Sequence, residues 1–219
     1  MKTKQTAFLS RIVILIIGLV IAHLGVTLFI QANLGTDPFN VFVQGVYRTL
    51  SAYGFDWLTH GYTHIGISFF IILLLLFVDK NYIKLGTLIC MILGGPIIDL
   101  FTYLLQGFIN ESLPFTIRIL VLSLGCIILA FGMTIVINSN AGTGPNDLVA
   151  IVISDKTKVH FSLMRIIVDA CFVLIGFLLH GTFGIGTIIC AFLVGPVAGF
   201  FLPRTKSWLG CLIPSLPQK

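Results

Sequence analysis

Long apolar runs separated by short polar connections set the pattern of this chain. They lie at about 12–30, 61–78, 85–105, 115–137, 163–179 and 183–202. Each approaches or exceeds the ~18–20 residues that a helix needs to cross a ~30 Å hydrocarbon core. The pattern therefore predicts an all-α membrane protein with six transmembrane helices. Every connection is short and only 203–219 follow the last run, so 1–219 reads as a single transmembrane domain. The first run follows Lys2, Lys4 and Arg11 as a secretory signal would. It exceeds the ~7–15 apolar residues of a signal core and has no small-x-small cleavage pattern, so it is expected to stay as a helix.

The apolar pattern also repeats. At an offset of 107, Gly18 meets Gly125, Gly25 meets Gly132, Thr27 meets Thr134, Asn33 meets Asn140, Gly35 meets Gly142, Thr36 meets Thr143 and Pro38 meets Pro145. At an offset of 100, LGTLICMILGGPIIDLF from Leu85 matches IGTIICAFLVGPVAGFF from Ile185. Each unit, about 11–106 and 115–203, holds three runs. Because three is odd, the second copy must enter the membrane from the opposite face, which makes the pair inverted repeats.

After the first run of each repeat comes a helix-start signal, NLGTDPFN at 33–40 and NAGTGPND at 140–147. Glycine permits an unusual turn, proline suits the first helical position, and short polar side chains cap the unpaired N–H groups. The segments that follow, 39–51 and 146–154, are too short to span and are expected to be half-helices, re-entrant or interfacial. A helix N-terminus carries about half a positive charge, so two inverted copies converging from opposite faces make a site for a polar or anionic guest. The expected binding residues are Thr36, Asp37, Asn40, Thr143, Asn146 and Asp147. Gly35, Pro38, Gly142 and Pro145 form the turns. For Asp37 and Asp147 the plainer alternative is ordinary helix capping. The Gly94-Gly95-Pro96 and Gly195-Pro196 breaks inside later runs suit either a kinked, cavity-lining helix or close packing.

Charge changes the picture next. The chain is 57% hydrophobic and 10% charged, with a net charge of +5. With a bilayer as solvent, that excess reads as a topology signal and not as a nucleic-acid surface. If the N-terminus is cytoplasmic, Lys2, Lys4, Arg11, Lys80, Lys84, Lys156, Lys158, Arg165, Arg204, Lys206 and Lys219 lie inside, and only Arg48 and Arg118 lie outside. This predicts a multi-pass protein of the plasma membrane with both termini cytoplasmic. Three ionisable residues fall at membrane depth: His23, Asp99 and Asp169. Such groups cost several kcal/mol against lipid and tend to face a cavity or a partner. His23 reads as a neutral histidine bonded to a neighbouring helix, whereas Asp99 and Asp169 read as functional carboxylates in need of water, a cation or a proton. The cysteines show no paired spacing and read as small buried side chains.

The GTDPFN and GTGPND elements, each after a Gly-rich span, and the Gly-Thr-x-x-Cys blocks that end in Gly-Pro resemble the bacterial YczE/YyaS/YitT-like integral membrane protein family. That group's first motif commonly reads G-x-x-P-W-D, where this chain has Phe39 or Asn146 and then Asn40 or Asp147. The resemblance implies a bacterial plasma-membrane protein and brings neither a substrate nor functional residues with it.

No GxSxG, HExxH, Walker A, CxxC or paired-His spacing is present, and the histidines at 23, 60, 64, 160 and 180 are scattered along the chain. The chain is accordingly read as a non-enzyme without cofactor or metal. Two functions follow from the pattern. One is a secondary transporter or channel for a small polar or anionic solute; the other is a membrane accessory or sensory subunit that binds a protein partner or lipid. The expected partners are the lipid bilayer and a small solute, with no nucleic acid, and homo- or hetero-oligomers stay open.

Overall fold

The computed structural model of the chain describes residues 2–212. Within them the backbone forms α1 (Lys2–Ala32), α2 (Pro38–Ala52), α3 (His60–Asp79), a 3-10 turn at Lys80–Tyr82, α4 (Leu85–Leu105), α5 (Phe115–Ser139), α6 (Pro145–Thr157), α7 (Phe161–Leu178) and α8 (Ile185–Leu212). No described residue lies in a strand. Five stretches are long and apolar enough to cross a membrane: Ala7–Ala32, His60–Tyr82, Leu85–Leu105, Phe115–Ser139 and Ile185–Gly210. The expected sixth span, 163–179, corresponds to α7, an 18-residue helix that carries Arg165 and Asp169 and is not among the five.

At the centre α1 crosses α5. A side chain at Gly25 would strike the backbone of Gly125 and Leu129, and one at Gly18 would strike Gly132 and Val136. Low numbers in α1 thus face high numbers in α5, so the two helices run antiparallel. The seam is made of missing side chains, which is how membrane helices gain dispersion contact without a hydrophobic driving force. Alongside it α4 runs parallel to α1, with Leu15 against Gly86 and Gln31 Nε2 donating to the Thr102 carbonyl at 3.1 Å. In the same way α8 runs parallel to α5, with Leu122 against Gly186 and Asn138 Nδ2 donating to the Leu202 carbonyl at 3.0 Å.

The short helices α2 and α6 start where the sequence places them, each with proline at its beginning. They run to Ala52 and Thr157, a little beyond the expected ends. At 15 and 13 residues they reach only ~20–23 Å, short of a crossing. Their direction follows from their neighbours. Phe39, at the start of α2, packs edge-on against His64, while Tyr47, two turns on, faces His60. His64 in turn meets His23 of α1. The chain therefore climbs α1 to Ala32, returns by ~13 Å to the level of His23, and climbs again. α6 mirrors this from the other end, beginning beside Asp169 in α7 and finishing where Tyr82 Oη bonds Asp155 at 2.9 Å. Phe39 and Val43 of α2 share one buried cluster with Leu148 and Val152 of α6 and with Ile71 and Leu75 of α3. The two short helices thus contribute to one interior cluster together with α3.

Candidate functional site

Both turns are built from left-handed residues. Asn33 and Asn140 close α1 and α5 at φ 45° and 56°, and Gly35 and Gly142 follow at 111° and 150°, values at which a side chain would be strained. Each turn is clasped by the last long helix of the other half. The Gly186 N–H donates to the Leu34 carbonyl at 2.8 Å, and the Gly86 N–H donates to the Ala141 carbonyl at 3.1 Å. Thr187 and Thr87, next along, lie against the empty faces of Gly35 and Gly142. The Gly-Thr blocks found twice in the sequence are these clasps. They satisfy turn carbonyls that otherwise face a low-dielectric interior.

The first turn feeds a polar chain. Asp37 caps α2, accepting from the Asn40 N–H at 3.3 Å and from Asn40 Nδ2 at 2.8 Å, and the Thr36 hydroxyl donates to it at 3.3 Å. Asn40 is 4% exposed, and its Oδ1 lies 3.1 Å from His60 Nε2, which donates to it. The second turn leads to an ion-pair cluster. Arg165 reaches Asp147 at 2.5 Å and Asp169 at 2.8 Å, and Asn146 Nδ2 donates to Asp147 at 3.1 Å. The half-helices that carry the two networks share one buried apolar cluster, through Phe39 and Val43 of α2 and Leu148 and Val152 of α6. Thr143 is half-buried beside the second turn.

Asp99 and Asp169 thus have defined partners. Asp169 is paired with Arg165, a residue the sequence offered only as a topology charge. Asp99 projects from α4 onto the start of α3, where it accepts from the Gly61 N–H at 2.9 Å and the Thr59 hydroxyl at 2.5 Å. It caps from outside a helix end whose donors are unpaired within the helix. His23 Nδ1 donates to the Leu19 carbonyl one turn below it, at 2.9 Å.

His60 and His64, scattered in sequence terms, are one turn apart on the buried face of α3, and His64 lies edge-on to His23 with ring centroids 5.6 Å apart. His64 Nδ1 is buried without a hydrogen-bond partner, a state that costs ~1–3 kcal/mol. Above His60 opens a cavity of about 560 Å³ between the ends of α1 and α4, the beginning of α3 and one face of α2. Its wall is largely apolar, with polar side chains contributed by Asn33, Gln44, Tyr47, Arg48, Asp99 and Glu111. None of the expected binding residues Thr36, Asp37, Asn40, Thr143, Asn146 and Asp147 lines it; Asn40 is joined to it through its bond to His60. Among the described residues, no three His, Cys, Asp or Glu side chains are grouped to hold a metal ion.

A family model described as a family of unknown function, DUF6198, matches residues 9–203. The chain belongs to this family. Its relatives include the uncharacterized membrane protein YczE of Bacillus subtilis (strain 168), 28% identical over 189 residues that cover 86% of this chain and 83% of the relative. The uncharacterized protein YyaS of the same organism is 29% identical over 192 residues, covering 85% of this chain and 90% of YyaS. An uncharacterized protein of Haemophilus influenzae is 27% identical over 197 residues, covering 90% and 85%. The family is thus the YczE/YyaS-like one that the turn motifs resemble. No solved structure matches the chain.

Proposed function

We propose that this protein is a secondary transporter of the plasma membrane that moves a small polar solute, neutral or cationic, through a site between the two half-helices. The observation that carries the reading is that the half-helices opened by the two Gly-Thr-x-Pro turns share one buried cluster, each with a polar network at its start, and that His60 joins the first network to an open cavity. Irregular backbone and charge at membrane depth are tolerated only when buried in protein or facing water. The solute class follows from charge. Asp37 already caps α2 and Asp147 stands in the first turn of α6, so both positive helix ends are answered. Two carboxylates, Asp147 and Asp169, share one guanidinium, Arg165, and Asp37 adds a third carboxylate that no described basic side chain answers, so the site disfavours an anion.

In this reading the chain crosses the membrane six times as two inverted repeats, with α7 as the shortest crossing and both termini cytoplasmic. The antiparallel α1 and α5 and the paired clasps support the inversion. The gathering of Arg48, beside His180, and Arg118, on the Ala32 carbonyl, at one end of the bundle supports the orientation. The reading assigns no enzymatic activity. One feature favours the accessory-subunit alternative: Gly195 and Gly199 of α8 have no described atom within 4 Å of where their side chains would stand, leaving a small-residue face for a partner helix or lipid.

A thermal-shift screen of the purified protein against amino acids, nucleobases, vitamins and organic cations and anions tests the proposal. A true ligand at 100 times its dissociation constant adds ~2.7 kcal/mol. Stabilisation by a neutral or cationic solute, lost in Asn40→Leu, is expected. Stabilisation by no solute, with a partner protein co-purifying in equal amount, overturns transport.

A further inference from the structure

Four helices converge on the His23–His64 pair. His23 comes from α1 and His64 from α3, Phe39 of α2 lies edge-on to His64, and Gly94 of α4 closes the space opposite. A carbonyl can only accept, so the bond to Leu19 puts the proton of neutral His23 on Nδ1 and leaves a lone pair on Nε2. That lone pair faces the gap above Gly94, since a Cβ there would sit 2.9 Å from His23 Nε2. The same point is 3.3 Å from His64 Nδ1, the ring nitrogen that is buried without a partner. Two imidazole nitrogens therefore crowd the point where a side chain at residue 94 would stand, an approach that only glycine there allows.

We propose that this pair is the coupling-proton site of the transporter, holding one proton between His64 Nδ1 and His23 Nε2. The inference rests on the transport reading and names the coupling ion within it. Loading forms one N–H bond on His64, with the proton drawn from water in the outer cavity. That N–H then donates to the His23 lone pair, and a charge-assisted bond between the rings replaces an unpaired nitrogen. No electrons move. With no side chain at Gly94, nothing from α4 stands between the two rings as they approach.

The route in and the readout out both lie on α2 and α3. His60, one turn before His64, lines the cavity and bonds Asn40, which holds the Asp37 cap. The groups acting on the pair are few. His60 stands one turn from His64 on the same helix, and Arg48, in the last turns of α2, lines the same cavity as His60. From α4 the pair meets Gly94, while Asp99 is engaged with Thr59 and Gly61. Because Phe39 lies against His64 and Asn40 is bonded to His60, charge on the pair acts directly on the start of the half-helix.

Nitrogen NMR of the full-length protein, labelled at histidine and held in nanodiscs, tests this without any solute. At neutral pH His23 is expected in the Nδ1–H form. On acidification His23 and His64 should take up one proton between them and change together, with His60 resolved as a separate signal. In His64→Gln, His23 should stay neutral over the range in which the wild-type pair loads. His23→Gln should silence His64 in the same way, which guards against one variant failing to fold. Two rings that each take a full proton independently, or a His23 signal unmoved by His64→Gln, would overturn the proposal. The solute screen at fixed pH involves no proton step, so failure there counts against transport and failure here against the proton site.

Discussion

The two halves of the molecule keep the same frame and differ in what they hang on it. In the first, α3 lies on α4 so closely that Gly61 and Gly95 meet backbone to backbone, and Asp99 reaches across to cap α3. In the second, α7 leans away from α8 and packs on α2 instead, with Gly176 against Phe42 and the Thr49 hydroxyl donating to the Leu179 carbonyl at 3.0 Å. The counterpart of Asp99 at the sequence offset is Gly199, which meets nothing among the described residues. The seam of α1 and α5 and the reciprocal clasps are common to both halves. The ionisable groups are not: one half has histidines and a capping aspartate, the other an arginine shared by two aspartates. The difference teaches that a frame can be held by features found twice while its chemistry rests on features found once.

The strongest way to break the comparison is to fill the seam and the open face in turn. Gly25→Leu forces side-chain atoms into the Gly125 backbone and should cost ~3 kcal/mol or more, abolishing well-folded protein. Gly195→Leu should change thermal stability by less than ~0.5 kcal/mol. Equal damage from both, measured by thermal unfolding in detergent, would mean that the face of α8 is covered in the assembled protein. Next comes the shared cation. Arg165→Met leaves Asp147 and Asp169 unanswered and should cost about 2–3 kcal/mol, less than the ~3–5 of a fully buried pair because the side chains of Arg165, Asp147 and Asp169 remain 29%, 19% and 26% exposed. Combining it with Asp169→Asn should recover part of the loss; an additive loss would show that the pairing is unimportant.

The clasps allow a matched test. Gly35→Val and Gly142→Val should each cost ~1–3 kcal/mol through backbone strain alone, with collision against Thr187 or Thr87 added, and the two losses should be similar. A large loss at one turn and none at the other would end the claim that the clasps are equivalent. The smallest effect is expected at the external cap. Asp99→Asn keeps an acceptor for Gly61 and should lower stability by ~1 kcal/mol or less. If pH-dependent uptake also disappears in this variant, Asp99 carries protons as well as capping α3.

Much of the frame was legible in the sequence because it rests on short local signals. Pro38 and Pro145 open the half-helices as their chemistry requires, and Gly35 and Gly142 take the left-handed backbone that glycine permits, whereas the left-handed Asn33 and Asn140 were not foreseen. The pairing of Leu34 with Gly186 was hidden, because the two blocks look like separate repeats until the chain folds and joins each to the opposite copy. Arg165 was grouped with the topology charges, although its place four residues before Asp169 was a readable helical pair. His60 and His64 carried the same i, i+4 signal, obscured by a search for metal spacing. Asp99 gave no such clue, because its partners are a backbone N–H and a hydroxyl on another helix. Lys219, counted among the cytoplasmic charges, lies outside the described residues.

The crossed clasps also bear on how the chain is made. When the second turn leaves the ribosome, its partner Gly86 has already been synthesised, so the Ala141 carbonyl finds its donor at once. The first turn has no such advantage, since the Leu34 carbonyl must wait for Gly186. At ~5–20 residues per second, that wait is on the order of ten seconds. Throughout it the first turn lacks its clasp. The last helix to emerge closes the first turn to be made, so a truncation within α8 should be sensed at the opposite end of the sequence.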